Sequence, residues 1–271
     1  MLKNSTFKLK GSLNKTILGD ITYANELSNK IVVFVHGFKG FKDWGTHNLV
    51  AKYFAEHNIN FVKFNFSHSG VKPEEPNDVT DMELFADNTP TKELFDLDVV
   101  IKHLKTNFPN ADISLIGHSR GGGIAILYVN THPEIKNLIT WAAIDSFRSL
   151  WKKEQEESWK TTGKIEVFNA RTKEYMPLNF ILLTDIEQNE EKLNILKAAK
   201  NISIPWLIIH GNEDINVNLE VAKHFNQINT TSIFVEIEHA NHVFGANHPY
   251  KENSLPTLLK QVCDKSIAFL N

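Results

Sequence analysis

Cysteine is nearly missing from this chain. Cys263 is the single one, so no disulfide can close within the chain and no thiolate cluster can hold a metal. A protein without disulfides fits a reducing compartment, and the expected location is the cytoplasm. Long apolar runs are missing too: no segment approaches the roughly 18–20 apolar residues that span a bilayer. The first ten residues alternate apolar and polar side chains rather than forming the apolar stretch of a signal peptide, and they read as an opening strand. Arginine is scarce, with only Arg120, Arg148 and Arg171. Basic and acidic residues are mixed along the chain at a net charge of −3, with no basic block of the kind that tracks phosphates. Neither nucleic acid nor membrane is an expected partner. No internal repeat and no low-complexity tract is present.

What the chain does have is apolar residues, 42% over 271 positions, enough for a sizeable core. They fall in an alternating rhythm of strands and helices. Ile31–Val35 is a short, continuous, β-branched-rich run that suits a strand buried on both faces. A helix is expected from Asn48 to His57, a strand over Phe61–Phe66, and an amphipathic helix over Thr91–Phe108. Asp112–Ile116 reads as a strand and Arg120–Thr131 as a helix stopped before Pro133. Further strands are expected at Leu138–Trp141, Trp206–Ile209 and Ile233–Ile237, with helices at Leu219–Phe225 and Leu255–Phe269. Helical crossovers between buried strands predict an α/β fold: a mostly parallel sheet with helices on both faces. Pro73–Asn88 is polar and acidic and reads as a surface loop. More than sixty residues separate Trp141 from Trp206, far beyond one crossover. Within them, residues 146–175 mix charge with Phe147, Trp151, Trp159 and Phe168, which argues against disorder. The expected organisation is a core of residues 1–145 and 201–271 with a small cap at 146–200.

The Asp112–Ile116 strand runs into Gly117-His118-Ser119-Arg120-Gly121-Gly122-Gly123 and then an apolar helix. This is G-x-S-x-G between a strand and a helix, the context that makes Ser119 a candidate nucleophile. Glycine is needed at 117 and 121 because a strained turn brings neighbouring backbone into contact. The turn lifts the hydroxyl out at the carboxyl end of the sheet, where open α/β folds bind ligands. Neither phosphate-loop nor dinucleotide glycine spacing is present.

A serine hydroxyl needs a base, and the base needs an orienting group. The strand at Trp206 ends in His210-Gly211-Asn212-Glu213-Asp214, and the strand at Ile233 leads to His239-Ala240-Asn241-His242. An acid past one strand and a histidine past the next give the order Ser…Asp…His. His210, His239 and His248 compete with His242, and Glu213 competes with Asp214. The spacing His-Gly-x-x-Asp-x-x-Val favours Asp214. No His-Glu-x-x-His or matching carboxylate pattern accompanies the histidines, so no metal site and no cofactor is expected.

These pieces resemble the α/β-hydrolase superfamily from near the first strand to the last helix, together with His36-Gly37-Phe38 and the Phe64–Gly70 loop. Within it the chain is most similar to capped bacterial esterases of the cinnamoyl and feruloyl group, and more loosely to serine aminopeptidases. The resemblance implies Ser119 as nucleophile, His242 as base and Asp214 as the acid, with Asp145 as a rival because some relatives carry the acid after the previous strand. It also implies an oxyanion hole made of the backbone N–H groups of Phe38 and Arg120. The Phe64–Gly70 loop departs from relatives in lacking Arg-Gly-His-Gly.

The expected activity is hydrolysis of carboxylic esters of small acyl or aryl compounds through an acyl-enzyme, with a small-molecule ester as partner. The alternatives are a peptidase or thioesterase on the same triad, a non-hydrolytic relative, or a binding protein that has lost catalysis. His36 and His118 are expected to brace the loops. The Arg120 side chain has two readings, a substrate carboxylate or an ion pair fixing the elbow. Trp151 and Trp159 either line the pocket or form the cap's own core. Trp44, Trp141 and Trp206 are expected to pack near strand ends.

Overall fold

The computed structural model describes residues 2–271, so of the expected opening strand only Met1 lies outside it. Ten strands are described: β1 (Asn4–Lys10), β2 (Thr16–Thr22), β3 (Lys30–Val35), β4 (Asn60–Asn65), β5 (Asp112–His118), β6 (Leu138–Trp141), β7 (Lys164–Asn169), β8 (Glu174–Asn179), β9 (Trp206–Gly211) and β10 (Ile233–Ile237). Eight form one sheet in the order β1-β2-β4-β3-β5-β6-β9-β10. β1 and β2 are antiparallel, β2 is antiparallel to β4, and every other pairing is parallel. β7 and β8 form a separate antiparallel hairpin.

Side chains alternate across the parallel strands, so each strand feeds two cores. Val32 and Phe34 of β3 pack on one face with α1 (His47–Glu56) and with the closing C-terminal helix of residues 257–270. Ile31, Val33 and Val35 face the other side, where the remaining helices gather. These are α2 (Met82–Ala86), α3 (Pro90–Asn107), α4 (Arg120–Val129), α5 (Gln155–Thr162), α6 (Ile181–Gln188), α7 (Ile195–Lys200) and α8 (Leu219–Ile228), and the closing helix is α9 (Thr257–Leu270). α3 begins where the sequence supplies a start: the Thr89 hydroxyl accepts from the Lys92 N–H, and Pro90 takes the first helical position. The α/β architecture expected from the alternation is the one observed, and most boundaries differ from expectation by a few residues.

Three stretches differ more. Residues 73–88 are not all surface loop: Asp81 caps α2, and Val79 and Phe85 are buried. β2, with only three hydrophobic residues in a polar stretch, extends the sheet beyond the parallel part. The segment between β6 and β9 contains α5, the β7–β8 hairpin, α6 and α7. Trp151 and Trp159 meet edge to face at 5.1 Å within it, continuous with the core on that side of the sheet. No helix among the described residues is long and apolar enough to cross a membrane.

Candidate active site

The strand-to-helix turn after β5 holds Ser119 at φ 55° and ψ −120°, a conformation that costs a non-glycine residue about 1–3 kcal/mol. The surroundings impose it. The Ser119 N–H donates to the Trp141 carbonyl at 2.9 Å, and the Ser119 carbonyl accepts from the N–H groups of Gly122 and Ile144 at 2.9 and 3.2 Å. A Cβ at 117 would lie 2.5 Å from the Gly121 carbonyl oxygen, and one at 121 would lie 2.2 Å from that of Val35. Glycine at both positions is what allows β5, α4 and the β3 loop to meet behind the serine.

Asp214 follows β9 and His242 follows β10. The His242 Nδ1 donates to Asp214 Oδ2 at 2.7 Å, and the carboxylate is fully buried. Asp214 Oδ1 accepts the backbone N–H groups of Asn216 and Val217 at 2.8 and 3.0 Å. His210 Nε2 lies 3.3 Å from Oδ2. Burial alone would favour the protonated acid, but the bonds from His210, His242 and the backbone outweigh it and hold the carboxyl well below the usual range. Of the rival residues only His210 reaches this pair; among the described residues Glu213, His239, His248 and Asp145 make no hydrogen bond or ion pair with it. Glu213 pairs with His239 on the surface at 2.9 Å. His248 accepts from the Gly45 N–H and donates to the Asn77 carbonyl. His210 is buried and directed at the Val217 carbonyl as well as at Asp214. Asp145 has no hydrogen-bond or ion-pair partner among the described residues.

Ser119 and His242 line one cavity, although among the described residues no hydrogen bond joins the hydroxyl to the imidazole. Such contacts are often long in ligand-free sites. His118 couples the two loops: its Nε2–H donates to the His242 carbonyl at 2.9 Å. Burial keeps His118 neutral, lowering it to about 3, and lowers His36 to about 4. His36 donates to the Gly37 carbonyl at 3.0 Å, and a Cβ on Gly37 would lie 3.1 Å from the Ser119 Cβ, which sets the Phe38 loop directly against the serine. Among the described residues, the backbone N–H groups of Phe38 and Arg120 donate to no acceptor. The Arg120 side chain turns away. Its Nε donates to Glu93 at 2.8 Å with both groups buried, and its guanidinium sits over the rings of Phe38 and Phe147. Of its two readings, the ion pair is the one observed.

One anchor of the site had no counterpart in the sequence reading. Lys63 of β4 is buried and bonds Asp20 at 2.6 Å and Asp43 at 2.5 Å, and Lys42 joins the same two carboxylates. The group ties the loop after Phe38 to the antiparallel end of the sheet. A lysine inside the apolar run Asn60-Phe-Val-Lys-Phe was the available signal, since buried lysines require partners.

The cavity measures about 290 Å³. Phe34, Val50, Trp141, Phe244 and Leu259 give it an apolar interior, and Lys39, Asn169, Arg171 and Asn216 add polar groups to those of Ser119 and the histidines. Trp44 and Trp141 are thus wall residues as well as packing residues, whereas Trp151, Trp159 and Trp206 are packing alone. The long insertion contributes Asn169 and Arg171, from the turn of the β7–β8 hairpin. Among the described residues, no aspartate or glutamate lines the cavity. Among the described residues, no group of three His, Cys, Asp or Glu is placed to hold a metal.

Solved structures share this arrangement of elements. Est1E from Butyrivibrio proteoclasticus aligns over 98% of this chain and 97% of its own at 17% identity and TM-score 0.69. An alpha-beta serine hydrolase homologue from Coxiella burnetii aligns over 100% and 99% at 19% identity and TM-score 0.63. The acylaminoacyl peptidase of Pyrococcus horikoshii aligns over 99% of this chain but 41% of its own, at 16% identity and TM-score 0.68. At such identities the likeness is one of fold. No curated protein matches the sequence. The sequence profile of the family described as Serine aminopeptidase, S33 matches residues 27–163, from before β3 through the Ser119 elbow to the end of α5. With about half of its length matched in this way and the sheet, elbow and strand order described above, the chain belongs to that family of α/β-hydrolase-fold serine hydrolases.

Proposed function

We propose that the protein is a carboxylesterase-like enzyme that hydrolyses esters of small acyl or aryl compounds through an acyl-enzyme. The observation that carries this reading is the convergence of Ser119 and the Asp214–His242 pair on one largely apolar cavity, lined by no carboxylate among the described residues. Ser119 attacks the ester carbonyl while His242 Nε2 takes the hydroxyl proton, and Asp214 holds the imidazole in the tautomer with its proton on Nδ1. The oxyanion is stabilised by the free N–H groups of Phe38 and Arg120, each such donor contributing about 10²–10³ in rate. The alcohol leaves with the proton from His242. Water then attacks the acyl-enzyme with His242 again as base, releasing the acid and restoring Ser119. Three side chains and two backbone N–H groups take part in these steps. The segment 146–200 serves as the cap, and its hairpin turn narrows the entrance.

A peptidase reading has the family's description in its favour. An enzyme that takes a free amino terminus needs an acid to hold the ammonium, and the cavity lining supplies Lys39 and Arg171 instead. That favours the ester. Est1E, whose structure has also been solved with ferulic acid bound, is a relative in fold on which an ester reading is consistent.

Ser119→Ala is the test. The variant is expected to keep its fold by circular dichroism and to lose nearly all hydrolysis of nitrophenyl butyrate, by about 10⁴-fold or more. It should also fail to label with a fluorophosphonate, which the wild type takes up. Turnover at the wild-type rate would refute the assignment. A panel of aminoacyl-arylamides beside the esters separates the peptidase reading.

A further inference from the structure

We propose that Lys39 makes this site selective for esters that carry a second, anionic group, such as a carboxylate at the far end of the acyl or alcohol part. The inference rests on the ester reading above. Lys39 follows Phe38 directly, so its side chain leaves the backbone one residue from the proposed oxyanion donor, and it lines the cavity. It does so from a left-handed backbone at φ 60°, which the loop imposes on a residue with a Cβ. Its Nζ donates to the Phe168 carbonyl at 2.8 Å and sits over the Phe38 ring at 5.2 Å.

What it lacks is a counter-charge. Among the described residues no carboxylate lies within ion-pair distance of Lys39, and the cavity lining contains none. The other cation of the lining differs in just this respect, because Arg171 is paired with Asp78 through both terminal guanidinium nitrogens, Nη1 and Nη2. Burial of the ammonium without an opposite charge lowers its proton affinity from the ordinary lysine value. A half-buried cation with one of three donors used, beside an apolar interior, is complementary to an amphipathic anion. The apolar part enters toward Trp141 and Phe244, and the negative end meets Lys39 at the rim. A neutral ester of the same size leaves that ammonium desolvated and unpaired.

The test compares matched esters. One pair is nitrophenyl hydrogen glutarate and its neutral methyl ester; the other is carboxyphenyl butyrate and carbamoylphenyl butyrate. The kcat/KM values, each normalised to the uncatalysed rate, are measured for wild type, Lys39→Gln and Lys39→Arg. Both variants keep N–H donors at the end of a straight methylene stem, in place of the ammonium that bonds the Phe168 carbonyl. In at least one pair the wild type is expected to favour the anion by on the order of ten- to a hundredfold. Lys39→Arg keeps that ratio, Lys39→Gln brings it toward one, and raised salt shrinks it in the wild type without any substitution. Equal rates within both pairs, or a preference that survives Lys39→Gln, overturns the proposal while leaving ester hydrolysis standing. A wild type inert toward all four esters overturns both.

Discussion

Ser119 and Arg171 face the same cavity from backbones of different character. Around Ser119 the chain is clamped on every side: by the Trp141 carbonyl, by the amides of Gly122 and Ile144, and by glycines against which no Cβ fits. Arg171 arrives on the turn of a two-stranded hairpin whose Phe168 and Tyr175 are about half or more exposed, and it is held by an ion pair with Asp78 that is itself partly exposed. The strand ends therefore place reacting groups with backbone hydrogen bonds and contacts that have no alternative arrangement. The rim places its groups by a few side-chain contacts that water and salt can replace. In the proposed reading, the first region carries the chemistry and the second the choice of substrate.

Substitutions at the strand ends are expected to break this contrast most sharply. Asp214→Asn removes the acceptor that fixes the His242 tautomer and should lower kcat by about 10⁴-fold. Asp145→Asn, which alters a side chain without a hydrogen-bond or ion-pair partner among the described residues, should stay within about twofold in the same assay. If the two variants fell equally, the carboxylate that orients the base would have been misidentified.

Acid is expected to act on the same region next. His36 is lowered to about 4, and His47 and His118 to about 3, each chiefly by burial. Unfolded imidazoles take up protons near pH 6.5, whereas the folded ones stay neutral down to those lower values. Between the two limits the unfolded state binds more protons, so the stability these residues confer is present above about pH 6.5 and is lost as pH falls toward 3–4. Each contributes a slope of up to about 1.4 kcal/mol per pH unit. Urea midpoints measured between pH 7 and pH 5 should fall steadily, and His118→Gln should make the decline shallower. An unchanged slope in that variant would place the titrating groups elsewhere.

The smallest effect belongs to the rim. Arg171→Gln removes an ion pair whose partners are 24% and 37% exposed, and should change stability by under about 1 kcal/mol. KM for a neutral ester is expected to rise a few-fold, with kcat much less affected. A large drop in melting temperature would mean that the hairpin turn is part of the core rather than an adjustable edge.

The same division explains what could be read from residues alone. Gly117 to Gly123 between an apolar strand and an apolar helix announces a turn with its own stereochemistry, and the β5–α4 junction is where it was expected. The parallel strands were legible because burial on both faces leaves continuous runs such as Ile31–Val35. β2 was not, because at the antiparallel end polar side chains interrupt the pattern. The hairpin was not legible either. Lys164-Ile-Glu-Val-Phe-Asn alternates, yet it lies in a charged stretch whose partner strand contains a proline. Asp214 and His242 were reachable as types of residue past successive strands. Their 2.7 Å contact was not, because it depends on how β9 and β10 pair. The Lys63–Asp20–Asp43 group joins three distant segments, and no local pattern encodes such a meeting.

The position of β10 in the sheet carries one more consequence. It is the outermost strand on its side, bonded only to β9, with Ile233 half open to solvent, and the loop that bears His242 hangs from its end. Fraying of this border would withdraw the imidazole while β3, β5 and β6 stayed zipped. On warming, the protein would fall silent before it melts. Cooling would bring activity back without any need to rebuild the interior.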